Sequence, residues 1–394
     1  MAPSTAAAAP TTTMQGFVVP QASVNPAAFA ELTRRNNIPI YNTAFKGLGA
    51  TDDIPIRKAG VLSELMIQAV GNVVVVLNAG TCATTSRWPY DLIRGARFSA
   101  NGMSQLINVS GLKLKVYEIA KKGDFNDRGV VQAIGGASPG TARSQGTLAM
   151  DTEAWGLGSA VSAVAAATYN FDLEWIVPVA QDNVTLSGAI FAQTSSTDLV
   201  LSIDWALPGD IFVLTGAATA VMTCTIKVVA TTFSIPNDGR GGIFIPDLSA
   251  FHTLQQTRYN AASGINEITL VGQGAGRQLL RLFTQAWVSG APATILLPTD
   301  ANIGQYGFRY GTNDTPESFP SGSFAAKVQE RKWSSDPSAF WGFLSHDFIN
   351  EFGYRDAYDE GTASEMRMVI ELLGNPVTPV IEYVQETLAS GVTV

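Results

Sequence analysis

Two histidines, His252 and His346, are the side chains best suited to acid–base or metal chemistry in this chain of 394 residues. His346 precedes Asp347 directly, and adjacent residues on a helix cannot face each other across a site. Neither histidine has a second histidine at metal-ligand spacing, and no HExxH motif occurs. We therefore expect both histidines to be structural or solvated rather than catalytic.

Two other segments have a superficial likeness to functional motifs. Residues 272–277 read Gly-Gln-Gly-Ala-Gly-Arg, but they lack the Lys-Ser/Thr pair of a P-loop and the last glycine of a dinucleotide-binding loop. A turn between strands is the better interpretation. Asp356, Asp359 and Glu360 could ligate a hard cation such as calcium, although a solvated acidic loop is favoured. A carboxylate pair for glycoside hydrolysis would meet only in the fold, and no pair is marked out. We predict no enzymatic activity, no metal site and no cofactor.

Composition limits the classes of partner. A net charge of −8 with scattered lysines and arginines argues against direct nucleic-acid binding, which needs clustered cations. Cys82 and Cys224 are too few for a disulfide framework or a Cys-based metal site, so two reduced, packed thiols are expected. Because 46% of the residues are hydrophobic and only 15% charged, we expect apolar surface to remain for contact with other subunits.

The N-terminal region predicts a mobile arm followed by a short helix. Residues 1–13 are rich in Ala, Thr and Pro and lack the basic and apolar parts of a secretory signal, and no apolar run reaches the ~18 residues that span a bilayer. In the helix predicted over residues 25–35, Asn25 is the N-cap, and Phe29 and Leu32 share one side, followed by Arg34 and Arg35. The helix either packs on the body of the protein or rests on a lipid or protein surface.

Alternating apolar residues dominate the rest of the chain and predict strands. In residues 172–179 the apolar positions are Leu173, Trp175, Val177 and Val179, and residues 199–205 repeat the pattern. A period of two is what a strand buried on one face requires.

Helical periodicity and turn-forming residues divide the strands into two similar halves. Helices are predicted over residues 111–122 and, as the best candidate of the chain, over residues 337–352 with Asp336 as N-cap. A hairpin turn is predicted at Gly71-Asn72, and loops are predicted over residues 135–167 and 298–324. The cluster of turn-formers at residues 236–242 predicts a boundary. The predicted units are therefore an N-terminal arm and helix (1–36), a first domain (37–236) and a second domain (237–394).

An ordered series of segments resembles the double jelly-roll major capsid proteins of tailless, internal-membrane bacteriophages, the tectivirus type, in the lineage of adenovirus hexon. The matching segments are residues 37–45, 59–70, 109–123, 173–179, 186–190 and 243–249. The closest match is Leu-Glu-Trp-Ile-Val-Pro-Val at residues 173–179.

The resemblance implies an all-β fold of two eight-stranded jelly-roll barrels, each with one flanking helix, and a short N-terminal helix. It also implies a homotrimer that forms a pseudo-hexagonal tile of an icosahedral virion shell over an internal membrane. Partners would be neighbouring capsid trimers, vertex (penton) proteins and the membrane or its proteins, and synthesis would take place in the host cytoplasm. Phe29, Leu32, Arg34 and Arg35 become candidates for the membrane-proximal contact. The alternatives are a β-sandwich protein that binds a receptor or carbohydrate, such as a spike, and a jelly-roll enzyme.

Overall fold

A computed structural model describes most of the chain. The described residues are 22–85, 87–100, 103–122, 130–134, 161–164, 166–193, 198–237, 242–270, 277–289, 294–310, 314–332, 342–349, 358–359 and 366–390.

Strands predominate in the first half. They are β1 (Ala22–Val24), β2 (Arg35–Ala44), β3 (Thr51–Pro55), β4 (Val61–Val76), β5 (Thr81–Thr85), β6 (Ile93–Ala100), β7 (Met103–Val109), β8 (Val130–Ile134), β9 (Val161–Val164), β10 (Ala167–Pro178), β11 (Ile190–Phe191), β12 (Leu199–Trp205), β13 (Phe212–Thr215) and β14 (Thr219–Phe233). The helices are α1 (Pro26–Leu32), α2 (Gly111–Lys122) and α3 (Pro208–Ile211), with a 3-10 turn at Tyr90–Leu92.

The second half has the same character. Its strands are β15 (Ile243–Ile245), β16 (Ala250–Asn260), β17 (Gly264–Thr269), β18 (Arg277–Val288), β19 (Thr294–Leu296), β20 (Ile303–Tyr310), β21 (Asp314–Phe319), β22 (Phe343–Asp347), β23 (Tyr358–Asp359), β24 (Met366–Leu372) and β25 (Pro379–Ser390). The helix among the described residues of this half is α4 (Gly322–Lys332).

Eight strands of the first half form two facing sheets. One sheet has the order β2-β14-β4-β10 and the other the order β3-β12-β6-β7. Numbered one to eight along the chain, these strands are ordered 1-8-3-6 and 2-7-4-5. Pairing of the first strand with the last, and of the second with the seventh, is the nested arrangement of a jelly roll.

The second half repeats this order strand by strand. The sheets are β16-β25-β18-β22 and β17-β24-β20-β21, which again are 1-8-3-6 and 2-7-4-5. In each half one helix, α2 or α4, follows the fifth strand and contacts the fourth and sixth strands of its own barrel. The fold is a double jelly roll, as the sequence predicted.

The predicted alternation of apolar residues fills the first barrel. On β10, Leu173, Trp175 and Val177 are fully buried, and every second residue of β12 from Leu199 to Trp205 is buried as well. The two strands lie in opposite sheets of the barrel, so their apolar faces meet in one core.

One sheet connects the two barrels. Strand β7 of the first barrel pairs in parallel with β16 of the second through Ile107–Leu254 and Asn108–Gln255. The sheet β16-β25-β18-β22 is therefore buried on both faces. Phe343 of β22 belongs to the first core, whereas the next residue, Leu344, belongs to the second core.

The helix predicted over residues 337–352 is wrong in its described part. Residues 343–347 form β22, which pairs with β18, and the helix of this half, α4, begins inside the predicted loop over residues 298–324, which also contains β20 and β21. Consecutive apolar residues such as Phe343 and Leu344 fit a strand that is covered on both faces, and over a short run this pattern is indistinguishable from a helical one. Only β9 and the start of β10 are described within residues 135–167.

The predicted turn at Gly71-Asn72 is also wrong, because β4 continues through it as one strand of 16 residues. Gly71 lies opposite Cys224 of β14. A side chain on Gly71 would collide with the carbonyl oxygen of Thr223 and with Cys224. The glycine thus allows a close approach of two backbones within a strand rather than a change of chain direction.

We predict that Gly71→Ala destabilises the protein by about 1–3 kcal/mol or more, because the added methyl group has no space beside β14. Urea unfolding followed by tryptophan fluorescence measures the effect. Gly209→Ala in α3 is the control, because nothing lies within 4 Å of its added Cβ. Equal stability of the two variants would contradict the close approach.

Candidate functional site: the junction of the two barrels

Helix α2 fills the space between the two barrels. Its N-terminus is fixed by Asp91, whose carboxylate accepts a hydrogen bond from the Leu112 amide at 3.1 Å. Gly111 starts the helix because a side chain there would collide with the Tyr90 carbonyl and lie 2.7 Å from Trp175 Nε1. The helix contacts β10 and β6 of its own barrel, while its far side meets the sheet β16-β25-β18.

Glu382 of β25 accepts the first group of contacts from this helix. Lys113 of α2, which is fully buried, forms an ion pair with Glu382. Arg87 approaches the other carboxylate oxygen at 3.5 Å. The Arg87 guanidinium and the Lys113 ammonium lie 5.0 and 5.7 Å from the centre of the Trp287 ring, within range of cation–π attraction.

Glu386, four residues further along β25, is the centre of a second group. One carboxylate oxygen accepts hydrogen bonds from Tyr117 of α2 at 2.8 Å and from His252 of β16 at 3.0 Å. The other oxygen accepts from Arg281 of β18 at 2.8 Å. Arg281 also donates to Asp347 of β22 at 2.8 Å. The network thus connects α2 to all four strands of the second barrel's first sheet.

His252 connects the two barrels through its two ring nitrogens. Nδ1 lies 2.9 Å from the carbonyl oxygen of Pro178, which can only accept, and Nε2 faces the Glu386 carboxylate. The end of β10 in the first barrel is therefore held by a histidine of the second barrel. Gly188 passes close to the His252 backbone, and an added Cβ there would lie 2.6 Å from the His252 nitrogen.

The buried carboxylates remain ionised because cations surround them. Burial by itself would raise the pKa of Glu382, but attraction to Lys113 and Arg87 outweighs burial and lowers it to about 2. Burial opposes ionisation of Glu386 in the same way, and Arg281 and His252 hold the Glu386 pKa well below its ordinary value. Burial would lower the pKa of Arg281, but Glu386 and Asp347 raise it. The network is balanced in charge, as buried ions require.

The described side chains of this arrangement bind one another across the junction. Glu382 and Glu386 lie four residues apart on one strand face, roughly 13 Å, beyond the ~5–9.5 Å that separates glycosidase carboxylates. A polar cleft of about 460 Å³ opens beside Glu382 and is lined by Arg87, Lys113 and Arg258 among others. Within the described ranges no cluster of three or more His, Cys, Asp or Glu side chains could hold a metal ion.

The four residues predicted for a membrane-proximal contact lie together near β14, but they differ in burial and in contacts. Phe29 is buried in a small cluster with Val61 and Phe233, so it holds α1 on the first barrel. Leu32 is 55% exposed, and the side chains of Arg34 and Arg35 point outward. The Arg35 guanidinium contacts Glu64 at 3.0 Å, and the Arg34 amide donates to Ser234 at 2.8 Å.

Helix α1 begins as predicted, since the Asn25 side chain caps it through the Ala28 amide at 3.1 Å, but it ends at Leu32, and Arg35, predicted to be helical, begins β2. In the part of the chain that the structure describes, no helix has the length and apolar character that crossing a bilayer requires.

The remaining candidate residues are structural where they are described. His346 of β22 contacts Glu317 at 3.0 Å and packs against Phe308 and Phe348. Cys82 and Cys224 are buried free thiols, and burial, assisted by Asp52, raises the pKa of Cys224 to about 12. Residues 272–276, 356 and 360 lie outside the described residues, and Asp359 is in β23.

Charged residues within two apolar segments of the sequence could have predicted the junction. Lys113 and Lys115 interrupt the apolar residues of α2, and Glu382 and Glu386 interrupt those of β25. Charges placed inside otherwise apolar elements are expected to have buried partners.

Known proteins that are similar to this chain are found by comparison of structures and not by comparison of sequences. No family model matches the sequence, and no curated protein matches it. The crystal structure of the STIV MCP has a TM-score of 0.62 at 13% identity, covering 91% of this chain and 97% of that chain. The Faustovirus major capsid protein has a TM-score of 0.53 at 7% identity, covering 91% and 89%. The PBCV-1 virus capsid, a quasi-atomic model, has a TM-score of 0.52 at 12% identity, covering 91% and 95%. This chain therefore has the double jelly-roll fold of viral capsid proteins.

We predict that acid weakens the junction and that Glu382→Gln removes part of this pH dependence. The folded-state pKa of about 2 lies below the ordinary value of 4.5. The stabilisation from Glu382 is therefore complete above about pH 5 and is lost as the pH falls towards 2. At neutral pH the variant is less stable by about 3–5 kcal/mol, because Lys113 loses its counter-ion.

Urea unfolding at a series of pH values between 7 and 3 measures both effects. Glu31→Gln, which neutralises an exposed carboxylate on α1, is the control and should follow the wild-type curve. If Glu382→Gln and wild type lost stability in parallel on acidification, Glu382 would not be the titrating group.

Proposed function

We propose that this protein is the major capsid protein of a virus and acts by self-assembly into the virion shell. The observation that carries the proposal is the repeat of one eight-strand order in two barrels that share a sheet. Structures with this fold over 91% of the chain include the Faustovirus major capsid protein and the PBCV-1 virus capsid. A receptor- or carbohydrate-binding spike is not favoured, because these neighbours over nearly the whole chain are capsid proteins.

We further propose a tectivirus-type assembly. Three chains, with six barrels, form a pseudo-hexagonal homotrimer that packs beside other trimers and vertex proteins in an icosahedral bacteriophage capsid over an internal membrane. The functional units are residues 1–36, 37–236 and 237–394, and the site of synthesis is the host cytoplasm. The rigid junction around Glu382 and Glu386 supports this assignment, because a tile needs two barrels that keep a constant orientation.

We predict that the purified protein forms particles of three times the 41.7 kDa chain mass with a hexagonal outline. Native mass spectrometry measures the mass, and negative-stain electron microscopy shows the outline. A stable monomer at high concentration would exclude the trimeric tile.

We propose that Leu32, Arg34 and Arg35 face the internal membrane, with Phe29 as the anchor that holds α1 on the barrel. An exposed leucine beside two outward arginines suits the interface of an anionic bilayer. The cap at Asn25 keeps the helix formed and so fixes the direction of Leu32, while Arg35 is held in place as the first residue of β2.

We predict that the triple variant Leu32→Ser/Arg34→Gln/Arg35→Gln binds anionic vesicles less tightly than wild type. Two arginines at a charged membrane surface contribute about 2 kcal/mol, which corresponds to roughly thirtyfold in affinity. Flotation of the assembled protein with anionic vesicles measures it, with neutral vesicles as reference. Leu207→Ser/Arg94→Gln, which changes exposed residues elsewhere, should bind as wild type does. Undiminished binding of the triple variant would refute the contact.

A further inference from the structure

The polar cleft beside Glu382 lies at the N-terminus of helix α2, where the two barrels meet. Strand β6 and the segment before α2 border it from the first barrel, and strands β16 and β25 border it from the second. Its volume of about 460 Å³ is within the ~300–1,000 Å³ of sites that bind small molecules. Four cationic side chains line it: Arg87, Arg94, Lys113 and Arg258.

The three carboxylates of the cleft are already bound by groups of the protein. Asp91 accepts a hydrogen bond from an amide in the first turn of α2, and Asp210 accepts one at 3.1 Å from the backbone amide that precedes α3. Glu382 pairs with Lys113 and Arg87. The four cations outnumber the three carboxylates, so the cleft is locally positive in a chain whose net charge is −8.

Two of the cations, Arg94 and Arg258, keep their hydrogen-bond donors free. Within the described ranges neither guanidinium has an ion-pair or hydrogen-bond contact with a side chain. Arg94 is in β6, and Arg258 of β16 lies directly opposite Glu382, which it attracts from beyond contact distance. Each guanidinium has five N–H donors in a planar group and no acceptor. The opposite walls of the cleft therefore both offer unused cationic donors.

Ser110, the residue directly before α2, adds a hydroxyl group to the lining of the cleft. Ser110 is 5% exposed, and its Oγ has no hydrogen-bond partner within the described part of the chain. A serine at this position ordinarily accepts a hydrogen bond from an amide of the first helical turn. Here the Leu112 amide is bound to Asp91 instead. A buried hydroxyl without a partner costs free energy, and a ligand in the cleft would supply the missing partner.

Gln256 of β16 and the dipole of α2 add to the same polarity. The side-chain oxygen of Gln256 accepts a hydrogen bond from the Ser110 amide at 2.9 Å, which identifies the other end of the group as the nitrogen. This nitrogen can only donate, and it has no partner among the described residues. Helix α2 has 12 residues, and the positive end of its dipole lies at the cleft.

We propose that this cleft binds a phosphate group from solution, as inorganic phosphate or as a small phosphate monoester. Its carboxylates are engaged and its unused side-chain groups include two guanidinium groups, so an anion is favoured over a cation. The free donors come from β6, β16 and the segment before α2. Donors on several sides suit the tetrahedral oxygens of a phosphate better than the two coplanar oxygens of a carboxylate, and each arginine can bind two phosphate oxygens. The inference does not depend on the capsid role.

Calorimetric titration of the full chain with inorganic phosphate tests the proposal, with potassium chloride at equal ionic strength as the reference for screening. Phosphate should also raise the melting temperature, because it binds the folded protein. Arg258→Gln should weaken phosphate binding about tenfold or more, since it removes charge-assisted hydrogen bonds. Arg258 is exposed, so the variant should melt close to wild type in phosphate-free buffer. Arg57→Gln, which changes an exposed arginine outside the cleft, is the control and should bind phosphate as wild type does.

Ser110→Ala separates ligand binding from stability of the fold. The Ser110 hydroxyl has no protein partner, so its removal should leave the melting temperature in phosphate-free buffer unchanged or higher. The same variant should bind phosphate about tenfold less tightly and show a smaller rise of the melting temperature with phosphate. A lower melting temperature without phosphate, together with unchanged phosphate affinity, would show that the hydroxyl serves the fold and not a ligand.

Further titrations identify the source of the phosphate group. Tighter binding of glycerol 3-phosphate than of inorganic phosphate would support a monoester, and the reverse order would support free phosphate. Acetate that binds as tightly as phosphate would overturn the assignment in favour of a carboxylate. If Arg258→Gln lowered binding to anionic vesicles, the group would belong to a lipid and not to a soluble ligand. Absence of phosphate binding, or equal binding by Arg258→Gln and wild type, would refute the site and leave the capsid role untouched.

Discussion

The structure depends on burying both faces of the sheet β16-β25-β18-β22. One face encloses the core of the second barrel, and the other is covered by α2 of the first barrel. Covering the second face brings Glu382 and Glu386 out of water, which costs free energy unless each carboxylate has close cations and donors. Lys113, Arg281 and His252 supply them. The two barrels are therefore joined by a contact that tolerates little displacement.

This joint fixes the orientation of one barrel relative to the other. A buried ionic network fixes direction as well as distance, because each hydrogen bond has a preferred geometry. The parallel pairing of β7 with β16 adds a second, backbone constraint.

The wrong predictions concern segments whose local pattern fits two different structures. Phe343 and Leu344 followed by Phe348 suggest a helical face, yet Phe343 and Leu344 belong to β22, a strand covered on both sides, and Phe348 follows that strand. Gly71-Asn72 suggests a turn, yet Gly71 lies inside β4 because β14 passes too close for a side chain. In both cases the deciding information was a neighbour distant in sequence. Phe29 is a similar case, since a partner such as Phe233 makes it an anchor rather than a surface residue.

The sequence by itself determined the all-β character, the helix at α2, the capped helix α1 and the alternation that fills the first core, because these depend on periods of 2 and 3.6 residues within one segment. Resemblance in the order of segments indicated two barrels. Only the tertiary structure decided which strands pair and that Lys113 forms an ion pair with Glu382. It also decided that the Glu386 carboxylate binds Tyr117, His252 and Arg281. Those contacts join residues more than 100 positions apart, and a period within a segment contains no information about which distant segment will lie beside it.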